Sequence, residues 1–211
     1  MGTPPAVACH ILGWEIPMSF GTIIGVIVAL AVLLLLWAIL IYNRLVARRQ
    51  QTEEGWSGID VQLKRRSNLI PNLVETVKGY ASHERQTLEE LTELRAKAVA
   101  AENAPAGERA AVESRLGGAL VRLLAVAENY PDLKASNNFH ALQEELSDIE
   151  NHIQMARRYY NGAVRNLNTL VESFPSNLIA QRFHFTKAEY YEIDDPAERA
   201  LPKVDFGAAN E

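Results

Sequence analysis

Five histidines, one cysteine and 26 acidic side chains are the groups with which this 211-residue chain could do chemistry. Their spacing decides how much of that chemistry is open to it. A di-iron centre in a helical scaffold takes Glu-x-x-His pairs that project inward from facing helices, and no such pair occurs here. His83-Glu84 lacks the second histidine, one helical turn on, that a zinc helix requires. His140 and Glu144 stand one turn apart, but two ligands from one helix are weak evidence for a metal, and the pair reads as a solvated helix face. His152 lies beside an apolar stripe, a flank residue. Cys9 is the sole thiol, which excludes an intrachain disulfide, and it sits in an N-terminal stretch without organised pattern. Neither a Gly-x-Ser-x-Gly elbow, a phosphate loop nor a dinucleotide fingerprint is present. The expectation is therefore no catalytic residue, no metal, no cofactor and no enzyme activity; a metal-dependent hydrolase is the least favoured reading, and metal analysis of purified protein would test it. The charge balance, 21 Lys+Arg against 26 Asp+Glu, also argues against nucleic acid as a partner.

Two charged features remain that could bind a partner: the cluster Lys64-Arg65-Arg66 and the pair Arg157-Arg158. For the pair, simple solvation of an outer helix face is the better account; for the cluster, the two readings stand nearly level. What these residues can do depends on the elements that carry them.

The first element is a membrane span. No charged side chain lies between Glu15 and Arg44, and residues 20–41 read FGTIIGVIVALAVLLLLWAILI. As a helix rising ~1.5 Å per residue they cover roughly 33 Å, enough for a hydrocarbon core of about 30 Å. A cleaved signal peptide would have a basic start and a shorter apolar run, whereas residues 1–19 carry no Lys or Arg. An uncleaved transmembrane helix is expected, preceded by a tail over 1–19, with Met1 and Met18 both open as the start. All 21 Lys+Arg follow the run, which predicts the N-terminus outside and the rest in the cytoplasm. Gly21, Gly25 and Ala29 form a small-residue ridge that would let two copies pair as a homo-oligomer, although such residues are common in spans anyway.

The rest is helical in pattern. Alternating steps of 3 and 4 from Phe139 meet Leu142, Leu146, Ile149, Ile153, Ala156, Tyr160, Ala163, Leu167, Leu170 and Phe174, the spacing of coiled-coil packing. Asn137 or Asn138 suits the N-cap and Pro175 the stop. A second helix continues from the span to about Asn68, with Trp56, Ile59 and Leu63 on its seam. Pro71 suits a helix start, so a tight turn is predicted at 68–71, followed by a helix over about 71–102. A further helix covers about 108–129, and 130–138 is the next turn. The whole predicts an all-α fold: an N-terminal transmembrane helix followed, over 42–174, by an antiparallel up-down four-helix bundle. In that arrangement the 98–108 loop lies near the lipid headgroups, and 130–138 lies at the distal tip beside the 68–71 turn. The segment 175–193 is membrane-proximal. Its Phe183, Phe185, Tyr190 and Tyr191 either dip into the interface or cover the open end of the core. Residues 194–211 are expected to be a disordered tail.

Several stretches together resemble the bacterial LemA family. They are WSGIDVQLKRRSNLIPNLVETVKGYASHE from Trp56, RLLAVAENYPDLK from Arg122, LQEELSDIENHIQMARRYY from Leu142, and the run from Asn161 that ends ESFPSNLIA. Order and spacing match over about residues 20–192. The resemblance implies a single-pass protein of the bacterial cytoplasmic (inner) membrane, N-terminus outside, with a cytoplasmic helical bundle. It implies no established reaction. It does imply an association with membranes, since family genes often neighbour membrane-protease genes and a relative takes part in magnetosome membrane formation. Asp60, Gln62, Lys64, Arg65, Arg66, Asn68, Pro71 and Asn72 match its densest motif and are the expected partner-binding residues, at or near the distal tip. The leading reading is a non-enzymatic scaffold or regulator of other membrane proteins; lipid binding or membrane shaping is the alternative.

Overall fold

The computed structural model describes residues 20–81 and 83–192. The tail 1–19, with Cys9 and Met18, and the tail 194–211 lie outside the described residues. The chain divides into two units, Met1–Asn43 and Arg44–Glu211.

In the first unit the described residues belong to helix α1, which runs from Phe20 to Tyr80 and passes into the second unit. Its apolar residues are not sorted onto a face. Val28, Leu33, Leu34 and Leu40 are 55, 60, 65 and 68% exposed, and none of the apolar stretch is buried. A helix that is apolar all round needs an apolar environment, and this stretch is long and apolar enough to cross a membrane.

The second unit is all-helical among the described residues. It holds the α1 residues from Arg44 onward, α2 (Arg85–Ala100), α3 (Ala106–Ala127), the short α4 (Pro131–Lys134), α5 (Asn137–Glu172) and α6 (Ser176–Arg182). One apolar core takes Ile59, Leu63, Ile70 and Leu73 from α1, Leu88 and Leu91 from α2, Leu116 and Leu123 from α3, and Ile149 and Ile153 from α5. Contacts set the directions. Trp56 and Arg66 of α1 meet Tyr160 and Glu150 of α5, so these helices run oppositely. Asp60 and Arg66 meet Arg109 and Glu113, so α1 and α3 run the same way. Glu84 and Glu90 meet Tyr130 and Arg122, so α2 opposes α3.

The turn predicted at 68–71 does not exist. Pro71 lies inside α1. A proline in a helix interior costs ~3 kcal/mol, partly because the carbonyl four residues back loses its donor. That carbonyl belongs to Ser67, and Arg95 Nε of α2 donates to it at 2.8 Å. Leu69, Ile70, Leu73 and Val77 are 6, 1, 0 and 0% exposed. At roughly 1.5–3 kcal/mol for each buried side chain, their packing outweighs the proline. The chain reverses instead between Tyr80 and Arg85, where Glu84 N donates to Ala81 O at 3.1 Å. The α3–α5 connection therefore lies beside this reversal, with Tyr130 Oη donating to Glu84 Oε1 at 3.0 Å, and not beside residues 68–71. In the loop after α2, Glu102 pairs with Lys64 of α1.

On α5 the predicted stripe is buried at Phe139, Leu146, Ile149, Ile153, Tyr160, Ala163 and Leu167, with Leu142 and Ala156 at the core's edge. Phe174 breaks the pattern. The helix ends at Glu172, Phe174 falls outside it, and its side chain is 80% exposed. The N-cap is Ser136, in an extended conformation, in place of Asn137 or Asn138.

Candidate functional site

The densest motif folds as α1 helix, so its residues divide by helical phase into an inner and an outer set. Inward lies Arg66, 4% exposed. Its guanidinium donates to Glu150 Oε1 of α5 at 2.7 Å, and to the backbone oxygen of Glu113 of α3 at 3.1 Å as well as to that residue's carboxylate. Burial alone would disfavour the charge, but the Glu150 and Glu113 carboxylates more than offset this and hold Arg66 above its ordinary pKa. One helical step away, Arg109 of α3 is 3% exposed. It donates to Asp60 Oδ1 at 2.6 Å and to Glu102 O at 2.8 Å, and its guanidinium carbon lies 5.6 Å from the Trp56 ring centroid. Lys64 Nζ reaches Asp60 Oδ2 at 3.0 Å and Glu102. Burial works to raise the Asp60 pKa, yet the hydrogen bonds from Lys64 and Arg109 outweigh it and hold the carboxyl below its ordinary value.

The outer set is Lys64, Arg65, Asn68, Pro71 and Asn72, all exposed. Gln62 is half-buried and accepts a hydrogen bond from Arg65 at 3.4 Å. The eight predicted partner residues thus lie along one helix, not at a turn or tip. Arg66 is corrected from a surface residue to an internal one: three helices meet on its side chain, whose guanidinium is held by two carboxylates. Asp60 is likewise held by two cations. Lys64, Arg65, Asn68, Pro71 and Asn72 remain as an accessible polar face.

A groove of 660 Å³ opens between α3 and α5, with Arg66, Glu113 and Glu150 among its walls. Gly117 and Gly118 form part of its α3 side, and the space a Gly117 Cβ would fill ends 3.6 Å from Arg66 Nη1. About three turns before Arg66, on the same face of α1, a different closeness appears: a Cβ on Gly55 would lie 3.1 Å from the Tyr160 Cα. That glycine is what lets α1 and α5 approach.

The four aromatic residues placed at a membrane interface do not act together. Tyr191 is 2% exposed and stacks at a tilt on Trp56, with centroids 6.1 Å apart. It belongs to the core, which corrects its assignment to the interface. Burial, with the Glu113 charge, pushes its phenol up to about 12 against the opposing pull of Arg66, Arg157 and Arg109. Tyr190 stays at the surface, 36% exposed. Phe183 is 52% exposed, and Phe185 is half-buried under the Arg49 guanidinium at 5.5 Å.

Two asparagines missed in the sequence fix this segment. Asn168 accepts from Ala188 N at 2.9 Å and donates to Ala188 O at 3.0 Å; Asn161 does the same for Tyr191 at 2.9 and 3.1 Å. Each side chain replaces a missing backbone partner for an irregular strand of chain. The signal was there to be found: two asparagines seven residues apart, on the same side of α5 as the apolar stripe.

Comparison with known proteins bears on this motif. Two magnetosome proteins of Paramagnetospirillum magneticum, MamQ 1 and MamQ 2, are each 26% identical over 175 residues, covering 72% of this chain and 64% of theirs. The chain thus spans less than two thirds of the length of these relatives. Protein LemA of Metamycoplasma hominis is 26% identical over 155 residues, covering 72% of this chain and 69% of its own. The family model described as the LemA family matches residues 55–206, which takes in the α1 motif, the charge network and the asparagine-held segment. The chain belongs to the LemA family.

Proposed function

We propose that this protein is a membrane-anchored helical module that acts without catalysis of its own, as a scaffold or regulator of other membrane proteins. The apolar stretch of α1 is its anchor in the bacterial inner membrane. The Lys and Arg that follow it set the N-terminus outside and the helical unit in the cytoplasm. The reading of that unit as an up-down-up-down four-helix bundle is supported by the shared core and by the alternating directions of α1, α2, α3 and α5. The non-enzymatic reading rests on the motifs and spacings of the sequence.

The observation that carries the proposal is the contrast within one motif. Arg66 and Asp60 are committed to internal ion pairs, while Lys64, Arg65, Asn68 and Asn72 stand outward on the same stretch of α1. Packing explains the first pair and leaves the second set without a structural duty beyond the Lys64 pairs and the Arg65–Gln62 contact. A rigid helix presenting fixed polar and cationic groups suits recognition of an acidic surface on a protein partner; a membrane protease is one such partner that the family resemblance raises.

Photo-crosslinking in cells tests this. A benzophenone amino acid at position 65 or 68 of the full chain is expected to give one discrete protein adduct, and the same probe at exposed Glu145 is not. Equal or absent adducts at the two places would remove the assignment of this face.

A further inference from the structure

Among the described residues, the edge of the second unit formed by residues 174–183 carries exposed apolar side chains. Phe174 is 80% exposed and Leu178 is 56% exposed. α6 explains why they face outward: it turns Ser176 and Ala180 into the structure, at 6 and 0% exposure, and so directs Leu178, Gln181 and Arg182 to the opposite side. The turn before α6 is pinned by Ser176, whose hydroxyl donates to Leu170 O at 2.7 Å and Ser173 O at 2.9 Å. Phe183, beside Arg182 at 5.9 Å, extends the edge. Two large apolar side chains held outward by a fixed turn are expensive to leave in water.

The chain itself limits what can cover them. Phe185 N donates to Ala180 O at 2.9 Å, and the Arg49 guanidinium sits over the Phe185 ring, so α6 and Arg49 are neighbours. Arg49 is eight residues past Ile41, the last residue of the apolar run. Eight residues of chain reach no farther than about 28 Å, whatever the orientation of the unit. If the run spans a bilayer, this edge is tethered within reach of its surface. Its charged groups match an anionic one: Arg182 is exposed, and Arg49, exposed over the Phe185 ring, pairs with Glu53 at 3.6 Å through an exposed contact that water screens.

We propose that the Phe174–Phe183 edge is a lipid-contacting surface, with Phe174, Leu178 and Phe183 entering the interfacial region of an anionic bilayer and Arg49 and Arg182 meeting its phosphates. The occupant is lipid, because the edge combines a small apolar tip with a basic rim and cannot leave the neighbourhood of the span. This rests on the reading of the apolar run as a membrane anchor and assigns a second, peripheral contact to the same membrane.

The test uses the full chain in vesicles containing brominated lipid. Cys9→Ser removes the native thiol, and a single cysteine carrying bimane is placed at Gln181, at Leu33 or at Val121, which is 67% exposed on α3. In phosphatidylglycerol-rich vesicles, quenching at 181 is expected to exceed that at 121 by at least threefold. Phe174→Ser/Leu178→Ser is expected to bring it down to the level at 121, with far-UV helicity unchanged. Quenching at 33 together with none at 181 would overturn the proposal and leave the anchor intact. No quenching at 33 would overturn the anchor reading, and the proposal with it. Equal quenching at 181 in phosphatidylcholine vesicles, or in an Arg49→Glu/Arg182→Glu variant, would overturn the anionic assignment.

Discussion

Removing the Arg66 side chain would leave Glu113, 5% exposed, without its counter-charge. Breaking a buried ion pair from one side costs about 3–5 kcal/mol, whereas replacing both partners with apolar groups is often close to neutral. Arg66→Leu in the full chain is thus expected to lower the unfolding free energy by about 3–5 kcal/mol, and Arg66→Leu/Glu113→Leu to recover most of that loss. Glu150, whose side chain is 38% exposed, can return to water in both variants. Urea titration in detergent reads both, and a single variant as stable as the parent would show that the pair is not structural. Tyr191 makes the opposite kind of prediction. Its buried phenol favours the neutral form, with a pKa raised from 10 to about 12. Its contribution is whole below pH 10 and declines as the pH climbs from 10 towards 12. Two units at ~1.4 kcal/mol each set the scale at about 3 kcal/mol. The stability difference between the parent and Tyr191→Phe, which keeps the ring against Trp56, should shift in favour of the variant across that window. A difference that is flat from pH 8 to 12 would contradict the burial of this hydroxyl.

Helix α1 shows how a local signal loses to packing. Pro71 carries the usual mark of a helix start, yet the chain runs through it for nine more residues to Tyr80. A proline signal acts over one turn, while the apolar positions Ile59, Leu63, Leu69, Ile70, Leu73 and Val77 act over five. Read as one periodicity, they already skip the predicted turn. The compensation, however, was beyond the sequence: only the folded chain brings Arg95 to the Ser67 carbonyl. A double-mutant cycle measures it. Arg95→Leu is expected to cost about 1–2 kcal/mol with Pro71 present, because it leaves that carbonyl unpaired. In a Pro71→Ala background the new backbone N–H supplies the bond, and Arg95→Leu should cost less than half as much. Equal costs in the two backgrounds would mean that Arg95 does not serve the proline. On α5 the period-seven stripe was legible from Phe139 to Leu167 because one helix carries it unbroken, and it failed at Phe174 because Pro175 ends that helix early.

At the scale of the whole molecule, an apolar helical run and an all-helical unit were plain in the pattern, because both arise from periodicity along the chain. The site was legible only by residue type. Lys64-Arg65-Arg66 reads as one basic cluster, but three consecutive helical residues point about 100° apart, and the fold sends Arg66 inward and the others out. Which member turned inward depended on Glu113 and Glu150, 47 and 84 residues away. Likewise the aromatic residues near the C-terminus were legible as a group but not as individuals: Tyr191 joins Trp56 and Tyr160 in the core, while the exposed apolar edge belongs to Phe174 and Leu178. The central claim is that a folded helical unit is fixed to a membrane by the run at 20–41. The most direct measurement is alkaline carbonate extraction of cell membranes, comparing the full chain with a variant lacking residues 20–41. The full chain is expected to stay in the membrane pellet, and the shortened one to appear in the supernatant with its helical circular-dichroism spectrum retained. Release of the full chain by carbonate would contradict the account.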